Sequence, residues 1–200
     1  MPGYYRRNVA VNAVRKAQNH QKTVDENREA IGRVVTYCVI IALHDRFGIG
    51  KDRMENLGTA INRAAQKHET LCRVKGYDRA KKELVQETQR VMPQGFVLPA
   101  GKMPKTGKER EALVARREAA ETTVRLLVSA VVEHLWFGEK RIGALLKETE
   151  VNYRQFLDWA SEGDAYGYTL IARKMEQITG DKIQVVEEEG KAPVFAKTYY

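Results

Sequence analysis

Apolar positions recur with a helical period along almost the whole chain. Ile31, Val34, Val35, Cys38, Ile41 and Ala42 fall at three- and four-residue spacings and draw one wide apolar stripe. Thr23 and Glu26 precede it with the spacing of a capping box, which predicts a helix from there to about Phe47. The run Phe47-Gly48-Ile49-Gly50-Lys51-Asp52 reads as a glycine-punctuated turn, after which Met54, Leu57, Ile61, Ala64 and Ala65 restart the stripe. Past the Lys75-Gly76-Tyr77 break, a charged third helix is expected at the surface from about Asp78 to Val91.

Residues 92–108 hold three prolines and three glycines, which exclude a long helix and mark a linker. Within it, Phe96, Val97 and Leu98 predict partial docking. Thr106 and Glu109 then repeat the capping-box spacing ahead of a stripe through Val124, Leu127, Val128, Val131 and Leu135 to Phe137. A further helix carries Ile142, Leu145, Leu146, Tyr153, Phe156, Leu157 and Trp159. After Gly163-Asp164 another carries Tyr168, Leu170, Ile171, Met175 and Ile178, and stops at Gly180. Residues 181–200 lose the period; Gln184-Val185-Val186 fits a short strand, and the end with Phe195, Tyr199 and Tyr200 reads as a flexible tail.

The two halves resemble each other. At an offset of 88, Ala42 falls on Ala130, Asp45 on Glu133, Ile49 on Phe137, Gly50 on Gly138, Arg53 on Arg141, Met54 on Ile142 and Leu57 on Leu145. Each half then reads as a long apolar helix, an acid one turn from its end, a glycine turn, a basic residue and a second amphipathic helix. The expected fold class is all-α: two related helical units, a tandem duplication, joined by a Pro/Gly-rich linker and followed by a short irregular or β-containing tail. The divisions are a basic helix or arm at 1–22, unit 1 at 23–92, the linker at 93–107, unit 2 at 108–180 and the tail at 181–200.

Composition, 43% apolar and 30% charged, is that of a globular chain. The longest apolar run, Val34 to Leu43, is about half of what crosses a bilayer, and the N-terminus lacks an apolar signal core. A cytoplasmic protein without a membrane partner is the expectation. Cys38 and Cys72 have no ligand spacing and read as reduced thiols. The net charge of +8 lies wholly in one half: residues 1–100 contain 18 Lys/Arg and 10 Asp/Glu, whereas residues 101–200 contain 16 of each. Residues 1–22 carry Arg6, Arg7, Arg15, Lys16 and Lys22 with no acid, and Tyr4 and Tyr5 lie beside the first arginines. Such a segment suits phosphate neutralisation and base stacking, or else is simply a solvated basic face.

Ala42-Leu43-His44-Asp45-Arg46-Phe47-Gly48-Ile49-Gly50-Lys51-Asp52-Arg53-Met54 resembles a motif of small, uncharacterised phage and prophage proteins of Firmicutes. In these, a helix ending in a His-Asp and Phe-Gly-apolar-Gly-Lys pattern leads into a second amphipathic helix. The likeness covers about 30 residues and returns in reduced form over Glu133 to Arg141. It implies a viral origin and a role in host takeover, gene control or counter-defence, and implies no activity. A weaker likeness is to the helix-hairpin-helix motif, in which a Gly-apolar-Gly turn offers backbone N–H groups to a phosphate. Gly48, Ile49 and Gly50 supply the turn, and Lys51 and Arg53 follow at a helix N-terminus. Phe47 stands where that motif usually has proline, and the second half keeps only Gly138.

Enzyme signatures are missing: there is no GxxxxGK[ST] loop, GxSxG elbow or HExxH, and the four histidines are scattered. His44 with Asp45 and Glu133 with His134 are adjacent acid/His pairs near equivalent helix ends that would face each other across a metal if the two units packed as a pseudo-dimer. Neighbours on a helix point about 100° apart, however, so one member of each pair should face away from a shared site. Trp136 and Trp159 read first as core aromatics; exposed, they would be interface anchors. The expectation is a non-enzymatic nucleic-acid-binding protein, with DNA the leading ligand and no metal or cofactor. Its contact residues are Arg6, Arg7, Arg15, Lys16, Gly48, Gly50, Lys51 and Arg53, with Tyr4, Tyr5, Trp136, Lys140 and Arg141 as interface residues. The alternative is an inhibitor of a host nucleoprotein complex, of anti-CRISPR or other anti-defence type. A nuclease built around Asp45 and Glu133 ranks last.

Overall fold

The computed structural model describes the backbone of residues 3–99, 101, 106–188 and 192–197, and the side chains of these apart from 3–24, 108, 109 and 197. Among the described residues are six helices, α1 (Gly3–Phe47), α2 (Lys51–Lys75), α3 (Tyr77–Thr88), α4 (Gly107–Leu135), α5 (Glu139–Ala160) and α6 (Asp164–Thr179). One antiparallel pair follows, β1 (Ile183–Val186) and β2 (Val194–Lys197). The fold is all-α.

α1 runs unbroken through Thr23 and Glu26, so the first capping box starts no helix. A cap acts where the preceding backbone is not helical, and between Gly3 and Gly32 no proline or glycine interrupts the chain. The basic segment is therefore continuous with α1. The second box lies where a helix does begin: α4 starts at Gly107, with the Arg110 N–H donating to the Thr106 carbonyl at 3.1 Å. There the proline-bearing linker has already stopped any earlier helix.

The two helical units are interleaved. α1 lies against α4, and the second helix of each hairpin crosses to the first helix of the other, α5 onto α1 and α2 onto α4. α3 packs on α2 and α4, as α6 packs on α5 and α1. Exchanging α1–α3 for α4–α6 thus reproduces the same set of neighbours, an approximate two-fold pattern. One core results, drawn from both halves, with Val34, Cys38 and Ala42 of α1 meeting Val124, Ala130 and Val131 of α4 around Leu57 and Leu145. α3 contributes Ala80, Leu84 and Thr88 to buried positions, so only its other face is at the surface. Both thiols are free, and Cys38 is buried in the core.

The linker docks as its apolar residues predict: Met92 and Leu98 are buried and Phe96 packs on the core. α6 ends at Gly180, whose left-handed φ of 74° lets its N–H reach the Glu176 carbonyl at 2.8 Å. The expected strand at 184–186 exists as part of β1. Phe195, however, is core rather than tail: its ring lies 4.6 Å from that of Tyr37 and 5.1 Å from that of Tyr168, and Arg33 donates to its carbonyl at 2.8 Å. The last three residues, with Tyr199 and Tyr200, lie outside the described residues.

Candidate nucleic-acid interface

The two inter-helix turns repeat each other in detail. Gly48 has φ 63° and Trp136 φ 56°, and the following N-caps, Gly50 and Gly138, have φ/ψ of −87°/178° and −82°/178°. In each, the N-cap carbonyl accepts the first intrahelical bond, from Met54 at 3.1 Å and from Ile142 at 3.0 Å. Ile49 and Phe137 plug the core at matching places. The turns lie side by side, because the Phe47 and Phe137 rings meet at 4.7 Å. Two helix N-termini therefore open at one end of the molecule, and neither N-cap glycine offers a side chain to their free N–H groups.

The charge at this end is balanced. Lys51 is exposed but paired with Asp181 of the segment after α6 at 3.3 Å, and Arg53 and Lys140 are exposed beside Asp52 and Glu139. Arg141 lies over the Phe137 ring at 5.5 Å. Trp136 is not a core aromatic. It is 85% exposed, because the left-handed residue of the turn faces outward while its neighbour Phe137 turns in. Trp159 is half-buried under the Lys174 ammonium, 5.4 Å from its ring. Of the acid/His pairs, the His44 ring Nδ1 meets the Ile49 carbonyl at 3.2 Å, and Glu133 pairs with Arg63 at 3.6 Å. Among the described residues no His, Cys, Asp and Glu cluster fits a metal ion. Tyr4, Tyr5, Arg6, Arg7, Arg15 and Lys16 belong to the first half of α1, with side chains outside the described residues.

The concentrated positive charge among the described side chains lies at the α2–α3 corner, which the sequence reading did not single out. Arg73, Arg79 and Lys82 are exposed there and, like Arg90 beyond the far end of α3, have no ion-pair partner among the described residues. Of the acids nearby, Glu83 is paired with Lys75 at 2.7 Å, Glu87 with Lys67 at 3.3 Å and Glu118 of α4 with Lys81 at 3.5 Å, while Glu69 and Asp78 are exposed beside Arg73 and Arg79. Val74 and Tyr77 are exposed between the free cations. The only signal available in the sequence was the excess of Lys/Arg over Asp/Glu, spread across two helices whose meeting depends on Gly76.

No family model, curated protein or solved structure matches the chain. No helix among the described residues is long and apolar enough to cross a membrane.

Proposed function

We propose that the chain is a phage-derived, non-catalytic protein that binds nucleic acid through backbone phosphates, irrespective of base sequence. The observation that carries this reading is the α2–α3 corner, where Arg73, Arg79 and Lys82 stand exposed without ion-pair partners among the described residues around exposed Tyr77 and outnumber the acids beside them, Glu69 and Asp78. Lys/Arg side chains so placed release counterions from a phosphate chain, and an exposed ring adds stacking on unpaired bases. The basic first half of α1 adds to the same charge excess. Lys51 and Arg53 are weaker contributors, since Lys51 is held by Asp181 and Asp52 shares their helix start.

Fluorescence anisotropy with labelled duplex DNA, single-stranded DNA and RNA across a salt series tests this. The triple variant Arg73→Glu/Arg79→Glu/Lys82→Glu is expected to weaken binding of all sequences alike and to flatten the salt slope by about two to three. Lys51→Glu/Arg53→Glu should change it by about one or less. Wild-type protein that binds none of the three ligands at low salt ends the proposal.

A second reading rests on Trp136, an indole 85% exposed on a charge-balanced face. Aromatic anchors of this kind serve protein interfaces better than phosphate contacts. On this reading the turn end docks on a host nucleoprotein complex as an anti-defence inhibitor. It calls for a host complex that survives nuclease treatment and is lost in Trp136→Ala.

A further inference from the structure

Beneath the linker, between α1, α4, α5 and α6, lies a cavity of about 220 Å³. Its walls are apolar, with Met92, Leu98, Val124, Phe156 and Leu157 among them, and Phe96, Pro99 and Gly101 of the linker with Ala192 and Pro193 before β2 also line it. Two phenols also line it. Tyr153 and Tyr168 are each 94% buried, given exposures of 6%, and neither hydroxyl has a hydrogen-bond partner among the described residues. Burial pushes the Tyr168 phenol up to about 12 and that of Tyr153 further, so both stay protonated and able to donate. Arg116 lines the same cavity as both phenols.

The exposed residues of the lining mark the mouth of the cavity. Arg116 and Arg117 stand there exposed, and Arg116 is steadied by the Asn27 side chain at 3.0 Å. Of the two acids that line the cavity, Glu121 is engaged by Arg125 at 3.2 Å, which leaves Asp164 against two arginines. Among the described residues the mouth therefore carries an excess of one positive charge, in a cavity lined otherwise by two phenol donors and hydrocarbon. A cavity of about 150 Å³ holds benzene, so this one has room for a bicyclic or eight-carbon body. The two hydroxyls have no partner among the described residues and are not sealed off, so they are free to donate to an acceptor group on a ligand in the cavity.

We infer that this cavity is a binding site for a small amphiphilic monocarboxylate, its carboxylate held by Arg116, Tyr153 and Tyr168 and its apolar body among Val124, Phe156 and Leu157. The site is separate from the α2–α3 corner and from the turn end. A single charge in excess selects a monoanion, and the depth of apolar wall excludes a bare inorganic anion.

Titration calorimetry of the full chain with 2-naphthoate, and with the neutral 2-naphthalenemethanol, tests the inference. One naphthoate is expected per chain, bound about tenfold or more tighter than the alcohol, the scale of a charge-assisted hydrogen bond. Arg116 is exposed, so Arg116→Gln should fold normally, lose that preference and keep the alcohol's affinity. Tyr153→Phe/Tyr168→Phe keeps the volume and should weaken naphthoate without lowering the melting temperature. Absence of binding by either probe at about 1 mM, or equal naphthoate affinity in wild type and Arg116→Gln, overturns the site.

Discussion

At the scale of single residues, the paired turns set glycine against tryptophan in the same backbone conformation. Gly48 at φ 63° takes it without strain, whereas the Cβ of Trp136 at φ 56° meets the carbonyl that makes left-handed backbone costly by about 1–2 kcal/mol. Gly48→Ala should therefore destabilise the chain by about 1 kcal/mol, although an added Cβ there touches nothing within 4 Å. Trp136→Gly relieves the strain and loosens the unfolded chain, two effects of similar size, so its stability should equal wild type or exceed it by up to about 1 kcal/mol. Urea unfolding of the two variants decides it; a Trp136→Gly loss as large as that of Gly48→Ala would mean the indole packs on the fold. The periodicity could place Trp136 at a helix junction but not on its surface, because the stripe that ends at Leu135 continues through Phe137 only after a left-handed residue has turned the chain.

At the scale of elements, the sequence pattern located α2, α5 and α6 and the turns between them, since each has a stripe bounded by a glycine. It misplaced the start of α1, where a good cap sits inside a longer run of helix formers. It also missed the role of Phe195, because a two-stranded hairpin has too few residues to show alternation and its burial depends on Tyr37 and Tyr168 from distant helices. Another contact invisible in the pattern is the close approach of α6 to the end of α5. A Cβ on Gly167 would lie 2.9 Å from the Ala160 backbone nitrogen and 3.0 Å from its Cβ. Backbone cannot yield as a flexible side chain does, so Gly167→Ala should cost about 2 kcal/mol or more despite its better helix propensity. Gly143 of α5 has nothing within 4 Å of an added Cβ, and Gly143→Ala should instead stabilise by up to about 1 kcal/mol. Melting curves of opposite sign for two Gly→Ala changes in neighbouring helices would establish the crossing; two gains would show that α6 is free to move away.

At the scale of the molecule, the internal likeness was legible from Ala42/Ala130 to Leu57/Leu145, but how the halves meet was not. Offsets between similar positions report what each unit is, and carry nothing about which helix packs on which. The site followed the same division: an excess of basic charge in the first half was plain, while its gathering at the α2–α3 corner needed Glu83, Glu87 and Glu118 to be consumed by other lysines. Interleaving makes a sharp claim about folding. Because α2 buries its apolar face on α4 and α5 buries its face on α1, residues 1–95 and 106–200 each leave half of one core facing water. Such a fragment keeps the conformational cost of its own helices and loses the burial that offsets it. Neither half alone should therefore show a cooperative thermal transition by circular dichroism, and an equimolar mixture should recover the helicity and the transition of the intact chain. Should either half melt cooperatively as a monomer, its hairpin must close on itself, and the exchange of second helices that defines this fold would not be what stabilises it.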